Sequence, residues 1–383
     1  MHYNSYPLLS TFFSVALIVF SSDALAQEEP LGIENPDFEP TEDRDPLGHW
    51  TPQAFADAQS QGIPIPEASF EALVEGAEIQ SDAELPKVAE SGRYAVASDQ
   101  IQANANDMLF PDTKPIDTTA PFVPEAAGTE GAYFTSSRLI PEDARLHYPY
   151  RVNGKIFFSK PGVGDFICSG TVIRPRLILT AGHCVHEGAN GNGGFFSNFI
   201  FIPAYHRGNA PYQAWNWTWV ATTGSWLQSD GRVPNAGDLA IIEVEDRDFE
   251  GETKRIGEVV GWAGFRTNAL SPNHTKKVGY PGNHDSGEVM HQVDSAFHRS
   301  ASENTVLYGS DMRGGSSGGG WFENFGVKAE GQDGAMHDSP NRIVGVTSYG
   351  FRDTAPKVQG SSRLGDEFLD LLNLACNHQA GNC

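Results

Sequence analysis

The chain has 383 residues, of which 20% are charged, and its formal net charge is −23. This length suffices for one large domain with an extension, or for two domains. The charge balance excludes a nucleic-acid-binding protein, because no basic stripe is present to replace the counterions of a phosphate backbone.

The first 26 residues have the features of a secretory signal peptide. Residues 8–20 are mostly apolar, and residues 24–26 (Ala-Leu-Ala) form a small-x-small cleavage site. The part before the apolar run is atypical, since it contains no Lys or Arg. The run is too short for a membrane span, and no other stretch approaches 18 apolar residues. We therefore expect a secreted protein, extracellular or periplasmic, with no membrane partner.

Residues 27–130 form an acidic extension. They carry 22 Asp and Glu against four Lys and Arg, which accounts for −18 of the net charge of −23. The segment is rich in Pro, Glu, Asp, Ala and Thr, and this composition predicts a loosely structured region. A helix is predicted over residues 67–79, where apolar residues recur at helical spacing. We interpret residues 27–138 as a pro-segment and linker.

The composition changes after about residue 131, where short apolar runs alternate with Gly, Pro and Asn. Such runs predict many short strands and an all-β sandwich or barrel. The predicted strands are residues 155–158, 166–173, 177–180, 199–203, 239–244, 259–261, 278–280 and 343–348. One helix is predicted near the C-terminus, where apolar side chains between residues 364 and 375 share one face.

The four cysteines are an even number in a chain with an export signal, so disulfides are expected. Their spacing is not that of a zinc knuckle. Three pairings are possible, and we favour Cys168–Cys184 and Cys376–Cys383.

Three stretches carry residues suited to acyl transfer. His183 follows an apolar strand and precedes Cys184, whose disulfide would immobilise the ring of a general base. Asp238 opens an apolar strand, where a buried carboxylate can fix the tautomer of an imidazole. Ser317 lies in a glycine-rich stretch, where a hydroxyl nucleophile can sit beside exposed backbone N–H groups. Taken singly, these would be a structural histidine, a strand-capping aspartate and a flexible linker.

Together, in this order, the three residues resemble those of the chymotrypsin/trypsin-like serine protease family. The resemblance covers about residues 139–375. Residues 179–184 match the histidine motif with one Ala-to-Gly change, at Gly182. The other matching stretches are residues 166–173, 238–242, 315–319 and 345–350. Residues 279–282 (Gly-Tyr-Pro-Gly) and the lack of further disulfides resemble the bacterial and fungal glutamyl-endopeptidase-like (V8-like) branch.

The resemblance implies two six-stranded antiparallel β-barrels with a C-terminal helix, in a protease domain over residues 139–383. It implies that Ser317 is the nucleophile, because the nucleophile of the family is followed by two glycines. The backbone N–H groups of Gly315 and Ser317 would form the oxyanion hole. Ser348 and Gly350 would pair with an extended peptide substrate by β-strand addition.

One departure from the family concerns activation. Many relatives have an aspartate directly before the nucleophile, which receives a freed N-terminal amine when the zymogen is cleaved. Ser316 stands at this position, so that ion pair cannot form. We expect cleavage near Arg138–Leu139, where the mature chain of the family usually begins.

A second departure concerns specificity. Asp311 lies six residues before the nucleophile, where trypsin-like members carry the carboxylate that binds Arg or Lys. The next residues, Met312 and Arg313, differ from the trypsin-like pattern, and Arg313 could neutralise Asp311. Thr347 stands where glutamyl-type relatives use a histidine, which disfavours cleavage after Glu. We therefore predict a preference for Arg or Lys.

The sequence thus predicts a secreted, monomeric serine endopeptidase that acts on polypeptides. No cofactor or metal is expected, because the histidines at 274, 284, 291 and 298 are not at metal-ligand spacing. One alternative is a catalytically silent homologue that serves as a binding module. Another is a serine protease of glutamyl or narrow processing specificity.

Overall fold

The computed structural model describes residues 29–37, 48–61, 67–68, 87–90, 132–301, 305–328, 339–351 and 357–383. The predicted signal peptide and residues 101–130 of the predicted pro-segment and linker lie outside these ranges. So does the predicted helix 67–79, apart from its first two residues. Among the described residues, no helix is long and apolar enough to cross a membrane.

The described part of the extension contains four short strands and one helix. They are β1 (Leu31–Glu34), α1 (Pro52–Gln61), β2 (Glu67–Ala68), β3 (Val88–Ala89) and β4 (Phe134–Arg138).

Six buried strands then close into an antiparallel barrel, which we call the first barrel. They are β5 (Asn153–Lys160), β6 (Gly164–Val172), β7 (Leu177–Thr180), β8 (Ser197–Pro203), β9 (Trp215–Thr222) and β10 (Ala240–Val244). The strand order is β5-β6-β7-β10-β9-β8, and the pairing of β8 with β5 closes the barrel. Its strands read as nearly continuous apolar runs because their side chains are buried.

The connection between the barrels corrects one prediction. It contains β11 (Arg247–Phe249), β12 (Glu252–Lys254), α3 (Ile256–Val260) and β13 (Gly264–Arg266), whereas α2 (Gly224–Leu227) connects β9 to β10 of the first barrel. The strand predicted over residues 259–261 is wrong, because residues 259 and 260 belong to α3. Glu258 accepts a hydrogen bond from the Arg255 N–H at 2.8 Å, which stabilises the start of this helix.

Six more strands form the second barrel. They are β14 (His274–Gly279), β15 (His291–Ala301), β16 (Thr305–Gly309), β17 (Gly320–Glu323), β18 (Arg342–Phe351) and β19 (Val358–Arg363). The order is β17-β14-β15-β16-β19-β18, closed by antiparallel pairing of β17 with β18. The chain ends in α4 (Asp366–His378), which buries Phe368 and Leu371. The predicted chymotrypsin-like fold, two closed six-stranded barrels with a C-terminal helix, is confirmed.

The described pieces of the acidic extension pack on both barrels. β1 pairs antiparallel with β9, and β4 pairs antiparallel with β15. Trp50, just before α1, and Phe55, within α1, are buried against Phe157 of the first barrel. The indole N–H of Trp50 also donates to the Asn198 carbonyl at 2.7 Å. The expectation of a loosely structured extension therefore does not describe these pieces. Their aromatic residues bury apolar surface that the average composition of the acidic segment does not indicate.

Candidate active site

The histidine turn follows β7 directly. Residues 182–184 form a single 3-10 turn, and a disulfide joins Cys184 to Cys168 on β6. The Ala-to-Gly change at position 182 has a steric reason: a Cβ on Gly182 would lie 2.7 Å from the Cγ of Trp226. The turn is therefore held by a covalent bond on one side and by an indole on the other. The second disulfide joins Cys376 and Cys383 at the end of α4.

Asp238 is fully buried and accepts hydrogen bonds on both carboxylate oxygens. Its Oδ1 accepts from the His183 backbone N–H at 2.8 Å, and its Oδ2 lies 2.8 Å from His183 Nδ1. The hydroxyl of Ser348 donates to the same Oδ2 at 2.5 Å. With the Nδ1 proton held by Asp238, the Nε2 atom of His183 is the acceptor, which is the tautomer a general base requires.

The position of Ser348 depends on an irregularity in the second barrel. The register of β18 against β19 shifts between Thr347 and Tyr349, so Ser348 stands outside the regular ladder. A bulge of this kind re-aims a side chain. The Ser348 hydroxyl thus contacts the carboxylate of Asp238, which comes from the first barrel. This hydrogen bond was not predicted, because only the backbone of Ser348 was expected to contribute to the site.

The loop around Ser317 requires its glycines. Gly315 has a φ of +93°, and a Cβ there would lie 2.5 Å from the Tyr280 carbonyl oxygen. Gly318 has a φ of +76°, and a Cβ there would lie 2.0 Å from the Thr180 hydroxyl. Both features favour glycine, because other residues rarely adopt a positive φ and need space for a Cβ. The glycine-rich stretch is therefore a tightly packed turn and not a flexible linker.

The Ser317 side chain is fully buried in the folded chain. Neither its Oγ nor the Nε2 of His183 has a hydrogen-bond partner within the described ranges. Free catalytic sites often show long or unaligned hydrogen bonds that tighten when substrate binds. Among the described residues, the two atoms that acyl transfer at Ser317 would require to exchange a proton thus have no competing partner.

The backbone N–H groups of Gly315 and Ser317 are oriented indirectly, because the carbonyl of each of their peptide units accepts a hydrogen bond. The Gly314 carbonyl accepts a hydrogen bond from the Gly282 N–H at 2.6 Å, and the Ser316 carbonyl accepts one from the Gly319 N–H at 3.0 Å. In a trans peptide the N–H points opposite to the carbonyl. The N–H groups of Gly315 and Ser317 therefore point away from these partners, as an oxyanion hole requires.

Ser169 connects this loop to the first barrel, which the sequence analysis did not foresee. Its hydroxyl donates to the Gly315 carbonyl at 2.8 Å and accepts from the Tyr280 N–H at 2.9 Å. Its backbone N–H donates to the Ser317 carbonyl at 2.7 Å. The only signal in the sequence was its position next to Cys168.

Asp311 is buried beside an imidazole. Its Oδ2 lies 3.2 Å from the Nε2 of His284, and neither of its carboxylate oxygens meets the geometry of a hydrogen bond within the described ranges. Burial raises the pKa of the Asp311 carboxyl, but its interactions with His284, with the Ser136 hydroxyl and with the backbone together outweigh burial, and the pKa is lowered. The imidazole of His284 therefore lies beside Asp311, a contact that was not predicted from the sequence.

One group of potential metal ligands occurs in the described residues. Atoms of Cys168, His183 and Cys184 lie within 4.8 Å of one another. Both sulfurs belong to the Cys168–Cys184 disulfide and are not thiolates, which are the form that binds metals. This group is thus not a metal site.

Comparisons with known proteins agree with this geometry. A family model described as a trypsin-like peptidase domain matches residues 168–327. The glutamyl endopeptidase of Bacillus licheniformis is 29% identical over 180 residues, which cover 46% of this chain and 50% of that protein. A Bacillus subtilis protein named extracellular metalloprotease is 25% identical over 182 residues, covering 46% of this chain and 53% of its own. The chain thus spans about half the length of these curated relatives.

Solved structures give similar matches. The thermostable serine protease AL20 from an extremophilic microorganism shares 27% identity and a TM-score of 0.49, over 60% of this chain and 98% of that one. The protease Anisep from Arthrobacter nicotinovorans shares 27% identity and a TM-score of 0.48, over 59% of this chain and 96% of that one. The chain carries a trypsin-like peptidase domain. Over about half of its length it is distantly homologous to glutamyl endopeptidase.

Proposed function

We propose that this protein is a secreted serine endopeptidase that hydrolyses polypeptides with Ser317 as its nucleophile. The observation that supports this most strongly is the carboxylate of Asp238, which is held by His183 and Ser348 and fixes the acceptor tautomer of the histidine. The lone pair of Nε2 is then available for the Ser317 proton. A buried structural histidine would have both ring nitrogens paired.

The mechanism follows from the site. The Ser317 Oγ bonds to the carbonyl carbon of the substrate while His183 Nε2 takes its proton. The carbonyl oxygen becomes an oxyanion and accepts hydrogen bonds from the N–H groups of Gly315 and Ser317. The intermediate collapses when His183 returns the proton to the leaving amine and the C–N bond breaks. Water then attacks the acyl-enzyme by the same route and releases Ser317.

Part of the extension lies where the substrate would pair. β2 pairs in parallel with β18, with Glu67 opposite Gly350 and Ala68 opposite Phe351. A substrate strand cannot use the same backbone groups of Gly350 at the same time. This pairing supports the interpretation of residues 27–138 as a pro-segment that limits access to the site.

Release of the pro-segment would involve β4. Arg138 ends this strand opposite His291, and its guanidinium lies 2.5 Å from Asp285. Leu139 is 4% exposed. Cleavage at the proposed bond Arg138–Leu139 therefore requires the end of β4 to leave β15. N-terminal sequencing of active protein checks this proposal, and a start at Gln27 in a fully active sample would contradict it.

Asp311 supports a preference for Arg or Lys in the substrate residue whose carbonyl is attacked. Its lowered pKa keeps the carboxyl ionised at neutral pH. A basic side chain would have to compete with His284 for this carboxylate. We therefore expect His284→Ala to raise kcat/KM for Arg and Lys substrates severalfold relative to Glu substrates, with His274→Ala, on the exposed start of β14, as the control.

We also propose that the protein is exported from the cell. Two disulfides and a curated relative named extracellular support an extracellular or periplasmic location. We propose a monomer that needs no cofactor.

The direct test is hydrolysis of matched fluorogenic peptides with Arg, Lys or Glu at the cleavage position. Ser317→Ala should reduce the rate by at least ~10³-fold, whereas Ser159→Ala, at a buried serine of β5, should leave it nearly unchanged. Cleavage after Glu would retain the mechanism and contradict the proposed preference. No cleavage of any peptide, even after removal of the extension, would favour a silent homologue that binds other proteins.

A further inference from the structure

The turn before the nucleophile is held by one buried amide. Gln359 lies on β19 opposite Tyr308 and is 1% exposed. Its Oε1 accepts a hydrogen bond from the Ser310 hydroxyl at 2.7 Å. Its Nε2 donates to the Met312 carbonyl at 2.9 Å and to the Ser316 hydroxyl at 3.0 Å. One side chain thus binds three residues of the turn and uses both of its N–H groups.

Ser316 completes this network. It is 1% exposed, its hydroxyl donates to the Arg313 carbonyl at 2.8 Å, and its backbone N–H donates to the same oxygen at 3.1 Å. Together with the bond from Gln359, these contacts fix both the side chain and the backbone of Ser316. Every hydrogen-bonding group in the network is neutral.

This anchoring acts on the oxyanion hole. Ser316 lies between Gly315 and Ser317, whose N–H groups form the hole. If Ser316 rotates, the peptide that carries the Ser317 N–H rotates with it, because each peptide unit is planar. The hole stabilises charge only when its donors are oriented before the reaction. An anchored Ser316 supplies that orientation.

We propose that Gln359 is a positioning residue for the oxyanion hole, acting through Ser316, and that this neutral network replaces an ion pair with a freed amino terminus. The proposal rests on the proposed serine peptidase function. In many members of the family that the Ser317 motif resembles, an aspartate stands at the position of Ser316. Here the Ser316 hydroxyl occupies that position and accepts a hydrogen bond from the amide of Gln359.

The test compares Gln359→Met with the wild-type protein. Methionine keeps the approximate volume but has no N–H to hold Met312 and Ser316. Loss of these hydrogen bonds should lower kcat about tenfold or more, while KM changes less than twofold. The affinity of a peptide boronic acid, which forms a tetrahedral adduct with the serine, should fall by the same factor as kcat.

A matched control separates positioning from folding. Asn153 on β5 has the same pattern, since its amide donates to the Pro149 and Tyr150 carbonyls and accepts from the Thr171 hydroxyl. Asn153→Leu should lower the melting temperature without changing kcat of the folded protein. If Gln359→Met only lowers the melting temperature, as Asn153→Leu does, the positioning role is wrong.

A second variant tests the neutral character of the network. Ser316→Asp places a carboxylate beside the Arg313 carbonyl oxygen, so kcat should fall at least as far as in Gln359→Met. Unchanged or raised kcat in Ser316→Asp would show that the turn does not depend on a neutral group at this position and would overturn the proposal. Absence of turnover in the wild type would contradict the peptidase function itself, whereas an active wild type with an equally active Gln359→Met variant contradicts only the positioning role.

Discussion

The two halves of the candidate active site are stabilised in different ways. The half from the first barrel holds His183 with a disulfide at Cys184 and with the charged carboxylate of Asp238. The half from the second barrel holds Ser317 on a glycine turn that is anchored by the neutral amide of Gln359. A residue that gains a positive charge during reaction benefits from a nearby anion. A loop that presents N–H groups to an oxyanion needs only fixed dipoles.

The largest effect on kcat is expected in the half from the first barrel, which contains the charged carboxylate of Asp238. Asp238→Asn should lower kcat by about 10⁴-fold, because an asparagine amide favours the wrong tautomer of His183. Steady-state kinetics with a fluorogenic peptide measures this loss. Asp246→Asn, at a partly exposed carboxylate that pairs with Arg176, serves as the control. Equal losses in the two variants would indicate a general effect of charge and not a role for Asp238.

The second-largest effect on kcat is expected in the half from the second barrel, on the glycine turn that carries Ser317. Gly315→Ala should lower kcat by about 10²–10³-fold, since a Cβ at a φ of +93° would meet the Tyr280 carbonyl and displace one oxyanion donor. Gly193→Ala is the matched control, because a Cβ on Gly193 has no atom within 4 Å. Full activity in Gly315→Ala would remove this N–H group from the mechanism.

The packing around the histidine turn should contribute to stability. Gly182→Ala forces a Cβ against Trp226 and should lower the free energy of unfolding by about 1–3 kcal/mol. Trp226→Leu in the same chain should recover part of the loss from Gly182→Ala, because it removes the clashing ring. Denaturant unfolding of the two single variants and the double variant measures the coupling. Additive losses would show that the two residues do not compete for space.

The smallest effect concerns the attachment of the extension. His378 on α4 lies 2.8 Å from Glu34 of β1 and 2.7 Å from Glu243 of β10. Burial lowers the pKa of His378, but its hydrogen bonds to these carboxylates outweigh burial and the pKa is raised above 6.5. Its stabilisation is therefore complete at pH values below about 6.5 and is lost as the pH rises through the folded pKa.

The free energy of unfolding of His378→Gln should therefore differ from that of the wild type more at low pH than at high pH. Denaturant titrations at two pH values, one well below and one well above the raised pKa, measure this difference, and added salt should reduce it. A difference that grows with pH would contradict the assigned ion pairs.

The fold was predictable from the sequence, and the candidate catalytic residues were recognisable, because both leave local patterns. Fully buried strands such as β6 and β7 read as unbroken apolar runs, and His183, Asp238 and Ser317 each lie in a short motif. Strands such as β15 and β19 were missed, because polar side chains interrupt their apolar pattern. Residues 259–261 were misread because a run of two valines fits a strand as well as a short helix.

The contacts that position the reactive residues were not predictable. The hydroxyl of Ser348 and the amide of Gln359 reach their partners across 110 and 43 residues of sequence. The imidazole of His284 meets Asp311 through the packing of two loops. Such contacts depend on strand register and bulges, which one sequence does not display.

The most direct test of the account is to identify the residue that reacts with a fluorophosphonate. Wild-type protein, freed of its extension, is treated with the reagent, and the adduct is located by mass spectrometry of its peptides. We expect one adduct, on Ser317, with none in Ser317→Ala and very slow labelling in Asp238→Asn. An adduct on Ser316, or labelling that persists in Ser317→Ala, would contradict the assignment of Ser317 as the nucleophile.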